Sequence, residues 1–314
     1  MAVLYVSHPV GLLHDMGPGH PERPDRLRAV RSALAGPEFG ALIPVDAPLA
    51  SREAILRVHP DAHIRFLEEI APVEGLAAID ADTAMNPATL EAALRAAGGA
   101  IEAIDWIMKG RADAAFLAMR PPGHHAERLR AMGFCFFNTA AIAARHAQAA
   151  HGAERVAIMD FDVHHGNGTQ DVFWSDASVL YASTHEAPLY PGTGAASECG
   201  EYDTIVNAPL LAGDGGAQFR AAMEAAILPK IAAFRPDFLI ISAGFDAHRL
   251  DPLANLRLEA EDFAWATERL TEIADRYAGG RILSVLEGGY DLDGLSQSVA
   301  AHVRALIGTA PSAR

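Results

Sequence analysis

Val156-Ala-Ile-Met-Asp-Phe-Asp-Val-His-His-Gly-Asn-Gly168 passes from a wholly apolar run into a dense polar segment that ends among glycines. A strand at Val156–Met159 without polar alternation suits a parallel sheet covered on both faces. Polar residues crowded just beyond its carboxyl end suit the place where open α/β sheets bind ligands. Five other apolar runs have the same character: Val3–Ser7, Ala114–Ala118, Val179–Ala182, Phe238–Ser242 and Ile282–Leu286. Stretches of helical period lie between them. Asn86-Pro87 offers an N-cap and a proline at the first helical position, after which Leu90, Leu94, Ala97, Ile101, Ile104 and Met108 recur up to Gly110. Thr139–Ala150, Ala217–Phe234 and Glu261–Tyr277 are patterned alike. The alternation predicts an α/β protein with a single doubly wound, mostly parallel sheet and helices on both faces, one domain spanning residues 1–314.

Charge and cysteine usage narrow the function classes. The 25 basic and 40 acidic residues leave a formal charge of −15, which repels phosphate backbones and argues against direct nucleic-acid binding. Such a surface favours cationic partners, although solubility alone accounts for it. Cys135 and Cys199 are the only cysteines, too few for a disulfide framework or a cysteine metal site. They fit a reducing compartment. The start, Met1-Ala-Val-Leu-Tyr-Val, has neither the basic nor the long apolar region of a secretory signal, and no apolar run has the length of a membrane span. A cytoplasmic protein without membrane attachment is expected.

Four segments at predicted strand ends carry chemistry. Asp162 and His164, two apart after the first strand quoted, point to one side of an extended chain, and a carboxylate with an imidazole suits a borderline cation such as zinc. Asp246, in Ser242-Ala-Gly-Phe-Asp246, would complete a three-ligand set with positions left for water and substrate, the catalytic rather than the structural arrangement. In Arg120-Pro-Pro-Gly-His-His-Ala126, His124 and His125 stand at a stiff turn as a proton-handling pair. In Leu286-Glu-Gly-Gly-Tyr290, two glycines bring backbone close to a ligand and Tyr290 offers a hydroxyl to a developing oxyanion. Each segment alone has a plainer reading as a cap, a turn or a buried side chain. Four together make a consistent hydrolytic device.

The same segments resemble the histone deacetylase and acetylpolyamine amidohydrolase family of the arginase–deacetylase superfamily. The likeness runs nearly end to end, through His20-Pro-Glu-Arg-Pro-Asp-Arg26, Arg120–Ala126, Gly133-Phe-Cys-Phe-Phe-Asn138, Asp160–Gln170, Tyr190-Pro-Gly-Thr-Gly194, Ser242–Pro252 and Leu286–Tyr290. It is most similar to the class II branch, with its bacterial deacetylase-like members. The resemblance implies zinc on Asp162, His164 and Asp246, His124 and His125 as the proton-transfer pair, and Tyr290 as the group polarising the acyl carbonyl. It implies Asp160 as the partner of His124. Asn167 stands where class I members carry aspartate and class II members asparagine, which leaves open how acid and base duties divide between the two histidines. Phe134 and Tyr190 match the aromatic walls of the family's acyl-lysine tunnel, with Gly133 and Gly289 leaving room for the slender chain. A potassium ion near the zinc is implied at Asp160, Asp162, His164, Ser183 and Thr184. Tyr290 is not replaced by the histidine of the poorly active class IIa enzymes.

The resemblance leads to a zinc-dependent amidohydrolase acting through metal-activated water on N-acetyl or related acyl-lysine amides, in peptides, proteins or small acylated amines. Polyamine-specific eukaryotic members place a glutamate directly after an Asp-Pro pair, whereas Asp251-Pro252 is followed here by Leu253. That lowers the standing of an acetylpolyamine amidohydrolase. A binuclear manganese ureohydrolase would recruit His248 and Asp251, and a non-enzymatic acyl-lysine binding module would have no use for Tyr290 and both histidines. A homo-oligomer is compatible with the sequence.

Overall fold

In a computed structural model, which describes residues 2–308, eight strands form one sheet in which every pairing is parallel. Met1 and residues 309–314, the ends of the expected 1–314 span, lie outside the described residues. The strands in chain order are β1 (Val3–Ser7), β2 (Ile43–Asp46), the two short strands β3 (Ala77–Ala78) and β4 (Ala84–Met85), β5 (Ala114–Leu117), β6 (Val156–Asp160), β7 (Val179–Glu186), β8 (Ile205–Leu210), β9 (Phe238–Ala243) and β10 (Ile282–Leu286). β3 and β4 make a small antiparallel hairpin, and the large sheet runs β2-β1-β5-β10-β9-β6-β7-β8. All six predicted strands are in it, several a residue or more longer than expected. β2 and β8, the two edges, were not anticipated.

Period-two alternation divides the strand side chains between two cores. Ala115, Leu117, Val156 and Ile158 join one, beneath α4 (Thr89–Met108) and α5 (Thr139–His151). Ala114, Phe116, Ala157 and Met159 join the other, beneath α1 (Asp25–Ala33), α9 (Ala260–Ile273) and α10 (Leu292–Gly308). Burial on both faces explains why these strands read as unbroken apolar runs. Of the shorter helices, α2 (Arg52–Leu56), α3 (Asp61–Ile70) and α6 (Asn167–Phe173) add Ile55, Ile64, Leu67 and Phe173 to the first core, and α7 (Gly216–Ala222) and α8 (Leu228–Phe234) add Phe219 and Ile231 to the second.

Three helix readings need correction. Asn86 does not cap α4: its Oδ1 accepts from the Ala88 amide and the Thr89 hydroxyl in a preceding turn, and the helix begins at Thr89 with no side-chain cap. The predicted helix over 217–234 is two helices joined by a five-residue π turn, Met223–Ile227, just before Pro229, which lacks the amide to continue an ordinary ladder. The 261–277 helix likewise ends at Ile273 and closes through a π turn at Ala274–Ala278.

Gly98 sits inside α4 although glycine costs a helix about 1 kcal/mol relative to alanine. A Cβ there would strike the Pro48 carbonyl and lie 2.6 Å from the Ala50 amide nitrogen, so glycine lets the helix press on the segment leading from β2. Backbone has little freedom to give way, so the clash outweighs the gain in helix propensity. We expect Gly98→Ala to destabilise the protein by roughly 1–3 kcal/mol. Thermal melts would show a lower midpoint; an unchanged or raised midpoint would mean that the segment shifts freely.

Candidate functional site

The central strands deliver their following loops to one edge of the sheet. β6 and β9 are neighbours with Asp160 opposite Ser242, so the loop carrying Asp162 and His164 meets the loop carrying Asp246. The ligand-capable atoms of Asp162, His164 and Asp246 lie within 4.8 Å of one another, and all three residues are buried. His164 Nδ1 is 3.2 Å from Asp162 Oδ1 and 3.1 Å from Asp246 Oδ2. The Gly288 amide donates to Asp162 Oδ2 at 2.8 Å and the Val163 amide to Asp246 Oδ1 at 2.9 Å. A Cβ at Gly244 would run into the Asp162 carboxylate, and one at Gly288 into both carboxylates. Glycine backbone therefore closes the cradle where side chains cannot fit.

Electrostatics point the same way. Burial and the neighbouring Asp162 raise the Asp246 carboxyl above its ordinary range. Burial also works against charge on Asp162, but His124 and His164 outweigh it and hold that carboxyl low. Burial opposes charge on His164 too, yet its bonds to the two carboxylates push it up to about 10. Two buried carboxylates around one imidazole therefore demand positive charge. One nitrogen and two oxygen donors in that setting fit a divalent metal ion.

His124 and His125 lie beside this cradle with ring centroids 4.0 Å apart, but their partners differ. His124 Nδ1 is 3.0 Å from Asp160 Oδ2, and its Nε2 is 3.8 Å from Asp162 Oδ1. Against the cost of burial, Asp162 and Asp160 raise it well above the ordinary range. His125 Nδ1 is 2.8 Å from Asn167 Oδ1, and the Asn167 amide nitrogen donates to Glu127 Oε1 at 2.8 Å. A carboxylate only accepts, so Glu127 fixes the amide orientation and leaves Nδ1 of His125 as a donor. Burial, then the charges of His124 and His164, lower His125 well below its ordinary range.

The remaining sequence-predicted residues surround the cradle. Tyr290 is buried, and the Phe134 ring meets it edge-on at 5.9 Å. Tyr190, 38% exposed, stands edge-on to His125 at 5.1 Å. Gly133 has φ +54°, and a Cβ there would lie 2.5 Å from the His125 ring; Gly289 has φ +120°. Leu253 is partly exposed, its amide held by Asp251 Oδ1 at 3.1 Å. Ser183 lies opposite Asp160 in the sheet, with Thr184 following, and the Ser183 hydroxyl meets His185 Nδ1 at 2.9 Å. His248 and Asp251 do not join the three clustered ligands: Asp251 Oδ2 accepts the Tyr290 amide at 2.7 Å, and His248 faces Glu259 at 3.8 Å.

The chain matches the histone deacetylase domain over residues 20–306. It belongs to the histone deacetylase family. A histone deacetylase-like amidohydrolase of Pseudomonas aeruginosa is 40% identical over 277 residues, covering 87% of this chain and 73% of that protein. A probable deacetylase of Archaeoglobus fulgidus is 39% identical over 295 residues, covering 92% of this chain and 81% of the relative. The solved HDA15 HD domain superposes with a TM-score of 0.93 at 39% identity, covering 99% of this chain and 91% of that one. The family supports a deacetylase-type hydrolase with the arginase/deacetylase-like α/β fold. Among the described residues no helix is long and apolar enough to cross a membrane, and one similar Arabidopsis thaliana relative is named as chloroplastic.

Sequence reasoning assigned no role to the charged residues that hold this deacetylase-family site in place. Glu287, fully buried at the end of β10, accepts the Gly123 amide at 2.7 Å and the Ser242 hydroxyl at 3.1 Å. Arg26 donates to the carbonyls of Glu287 and, at 2.6 Å, Gly289, and its guanidinium carbon lies 4.8 Å from the Tyr290 ring centroid. Glu22 joins Arg26 at 3.0 Å to Arg120, whose Nη2 donates to it at 2.6 Å. All three are fully buried. His20–Arg26 was visible as a motif, but its partners stand about a hundred residues or more away.

Burial alone would raise the Glu22 carboxyl, but Arg120, His14 and Arg26 hold it well below its ordinary range. A depressed folded pKa contributes stability that is present above the unfolded value, about 4.3, and is lost as pH falls through the folded one. Glu22→Gln strands two buried guanidinium groups and should cost about 3–5 kcal/mol at neutral pH. The stability gap between wild type and variant should narrow on acidification. A gap that stays constant from pH 7 to pH 3 would contradict this.

Proposed function

We propose that the protein is a zinc-dependent deacylase that hydrolyses N-acetyl or related acyl-lysine amides in peptides, proteins or small acylated amines. The observation that carries the reading is the convergence of Asp162, His164 and Asp246 beside two histidines with unlike partners and near a buried tyrosine. Asp162, His164 and Asp246 would hold the zinc, which when bound supplies a Lewis acid for the acyl carbonyl and for water. A potassium ion, if present, would fall on the Asp160–His164 loop and the Ser183-Thr184 backbone. Two unbridged cysteines suit a cytoplasmic setting.

The chain's own residues then divide the work. Phe134 and Tyr190 wall the approach for an extended acyl-lysine arm, with Gly133 and Gly289 leaving room beside it. Tyr290 donates its hydroxyl to the acyl oxygen as negative charge develops there. His124, whose charged form Asp162 and Asp160 favour, would stabilise that charge. His125, neutral and holding its proton on Nδ1, has its Nε2 lone pair free to take a proton from the attacking water and return it to the leaving amine. A second substrate reading has one observation behind it. The β3–β4 hairpin brings Asp80 and Asp82 close enough to Tyr190 for their charges to act on its hydroxyl, against the single opposing charge of Arg130, and two carboxylates at this mouth would favour a cationic amine such as an acetylpolyamine.

Zinc-loaded protein should turn over acetyl-lysine or trifluoroacetyl-lysine peptides faster than acetylputrescine. Asp162→Ala should abolish turnover, and Tyr290→Phe should lower kcat about 10²–10³-fold. No turnover of either peptide, or full activity in Asp162→Ala, would defeat the proposal; preference for acetylputrescine would select the polyamine reading.

The division of roles has a separate test. Asn167→Asp places a carboxylate on His125 Nδ1 and raises the pKa of that ring. The acidic limb of the kcat/KM profile should move to higher pH, because more of the base is protonated at any given pH. A limb that stays in place would assign the base elsewhere.

A further inference from the structure

A second group of metal-capable side chains lies on the helices over one face of the sheet. Asp105 stands in the last turn of α4, and His146 and His151 in the second half of α5. Those helices lead into β5 and β6, so the group lies toward the amino ends of the strands, away from the deacetylase-family site at their carboxyl ends. We propose that Asp105, His146 and His151 bind a divalent transition metal of the zinc type and thereby tie α4 to α5.

Three observations carry this. The ligand-capable atoms lie within 4.8 Å of one another. Both imidazoles aim Nε2 at the same oxygen, His146 at 2.7 Å and His151 at 2.8 Å from Asp105 Oδ1. The side chains are 28%, 12% and 14% exposed, in the order Asp105, His146, His151, which shields an ion while leaving it a way in. Donors on a tetrahedral zinc, bound at about 2.0–2.1 Å, stand roughly 3.3 Å apart, so each imidazole has to back away from Asp105 Oδ1 by only about half an ångström. Two imidazoles and a carboxylate would leave the fourth position to water.

Two cations oppose the ion in the present arrangement, and both can leave. Lys109 Nζ holds Asp105 Oδ2 at 2.8 Å and is 53% exposed. Arg57 Nη1 stands 3.0 Å from His146 Nδ1. A guanidinium only donates, so Nδ1 accepts and the ring proton sits on Nε2, the atom the metal needs. Binding keeps the ring neutral but moves that proton to Nδ1 by exchange with water, and Arg57 must swing away. Its resting place is at hand, because Arg57 Nη2 already pairs with the exposed Glu53 at 3.2 Å. Arg57 is thus the gate of the site.

Zinc titrated into the full chain against a chromophoric chelator tests this directly. His151→Ala and Asp105→Asn should each bind one zinc fewer per chain than wild type, with deacylase activity, where measurable, unchanged. Arg57→Ala should bind the additional ion about tenfold more tightly, as loss of a neighbouring positive charge implies. Equal zinc counts in wild type and His151→Ala would overturn the site, and unchanged affinity in Arg57→Ala would overturn the gate. The comparison is a difference between proteins that share the central cradle, so its outcome does not depend on what Asp162, His164 and Asp246 bind.

Discussion

Buried negative charge is the constraint to which the rest of the structure answers. Asp160, Asp162, Asp246 and Glu287 are all withdrawn from water at the carboxyl edge of one sheet. Ionised carboxylates in such a place are costly unless cations and hydrogen-bond donors surround them. The fold supplies both. Amides of Gly123, Val163 and Gly288 point at carboxylate oxygens, His124 carries charge, and His164 does so only until its proton gives way to a metal, since it ligates as the neutral ring. A divalent ion suits the remaining demand because it answers two carboxylates at once.

That demand explains why the central strands have to be parallel and buried on both faces. Only then do the loops after β5, β6, β9 and β10 leave from one edge, so that residues far apart in sequence meet. The same feature made the centre of the fold legible. A strand covered on both sides has no polar face, so Val156–Met159 or Ile282–Leu286 stands out as an apolar run. β2 has alternately half-buried and exposed residues, with Pro44 among them, and β8 contains Asn207 and an exposed Pro209. An edge strand has only one neighbour and one well-covered side, and its sequence carries a correspondingly weak signal.

The site shows a similar division. Asp162, His164, Asp246, the histidine pair and Tyr290 could be read because each lies in the loop that leaves the carboxyl end of a strand and is of a reactive type. Glu22, Arg26 and Arg120 could not, because their meaning lies in one another. Arg26 is an ordinary helix residue until Gly289 is brought within 2.6 Å across 263 positions. Pairing of this kind leaves no local pattern. The π turns near Pro229 and after Ile273 were hidden for a related reason, since helical period continues through them while the hydrogen-bond ladder shifts.

The histidine pair shows how a difference invisible at the pair itself is set from outside. His124 and His125 are adjacent, equally buried and of the same chemical type, so neither sequence nor burial separates them. Asp160 and Asn167 do. A carboxylate accepting from Nδ1 favours the charged ring, whereas an amide oxygen accepting from the same atom pulls only weakly toward charge, so burial and the charges of His124 and His164 keep His125 neutral while the amide fixes its tautomer. Asn167 plays that part only because Glu127 takes the amide's donor end; without Glu127 the amide is free to turn and present a donor to the ring instead. The tautomer of His125 is therefore set by a carboxylate one hydrogen bond further out.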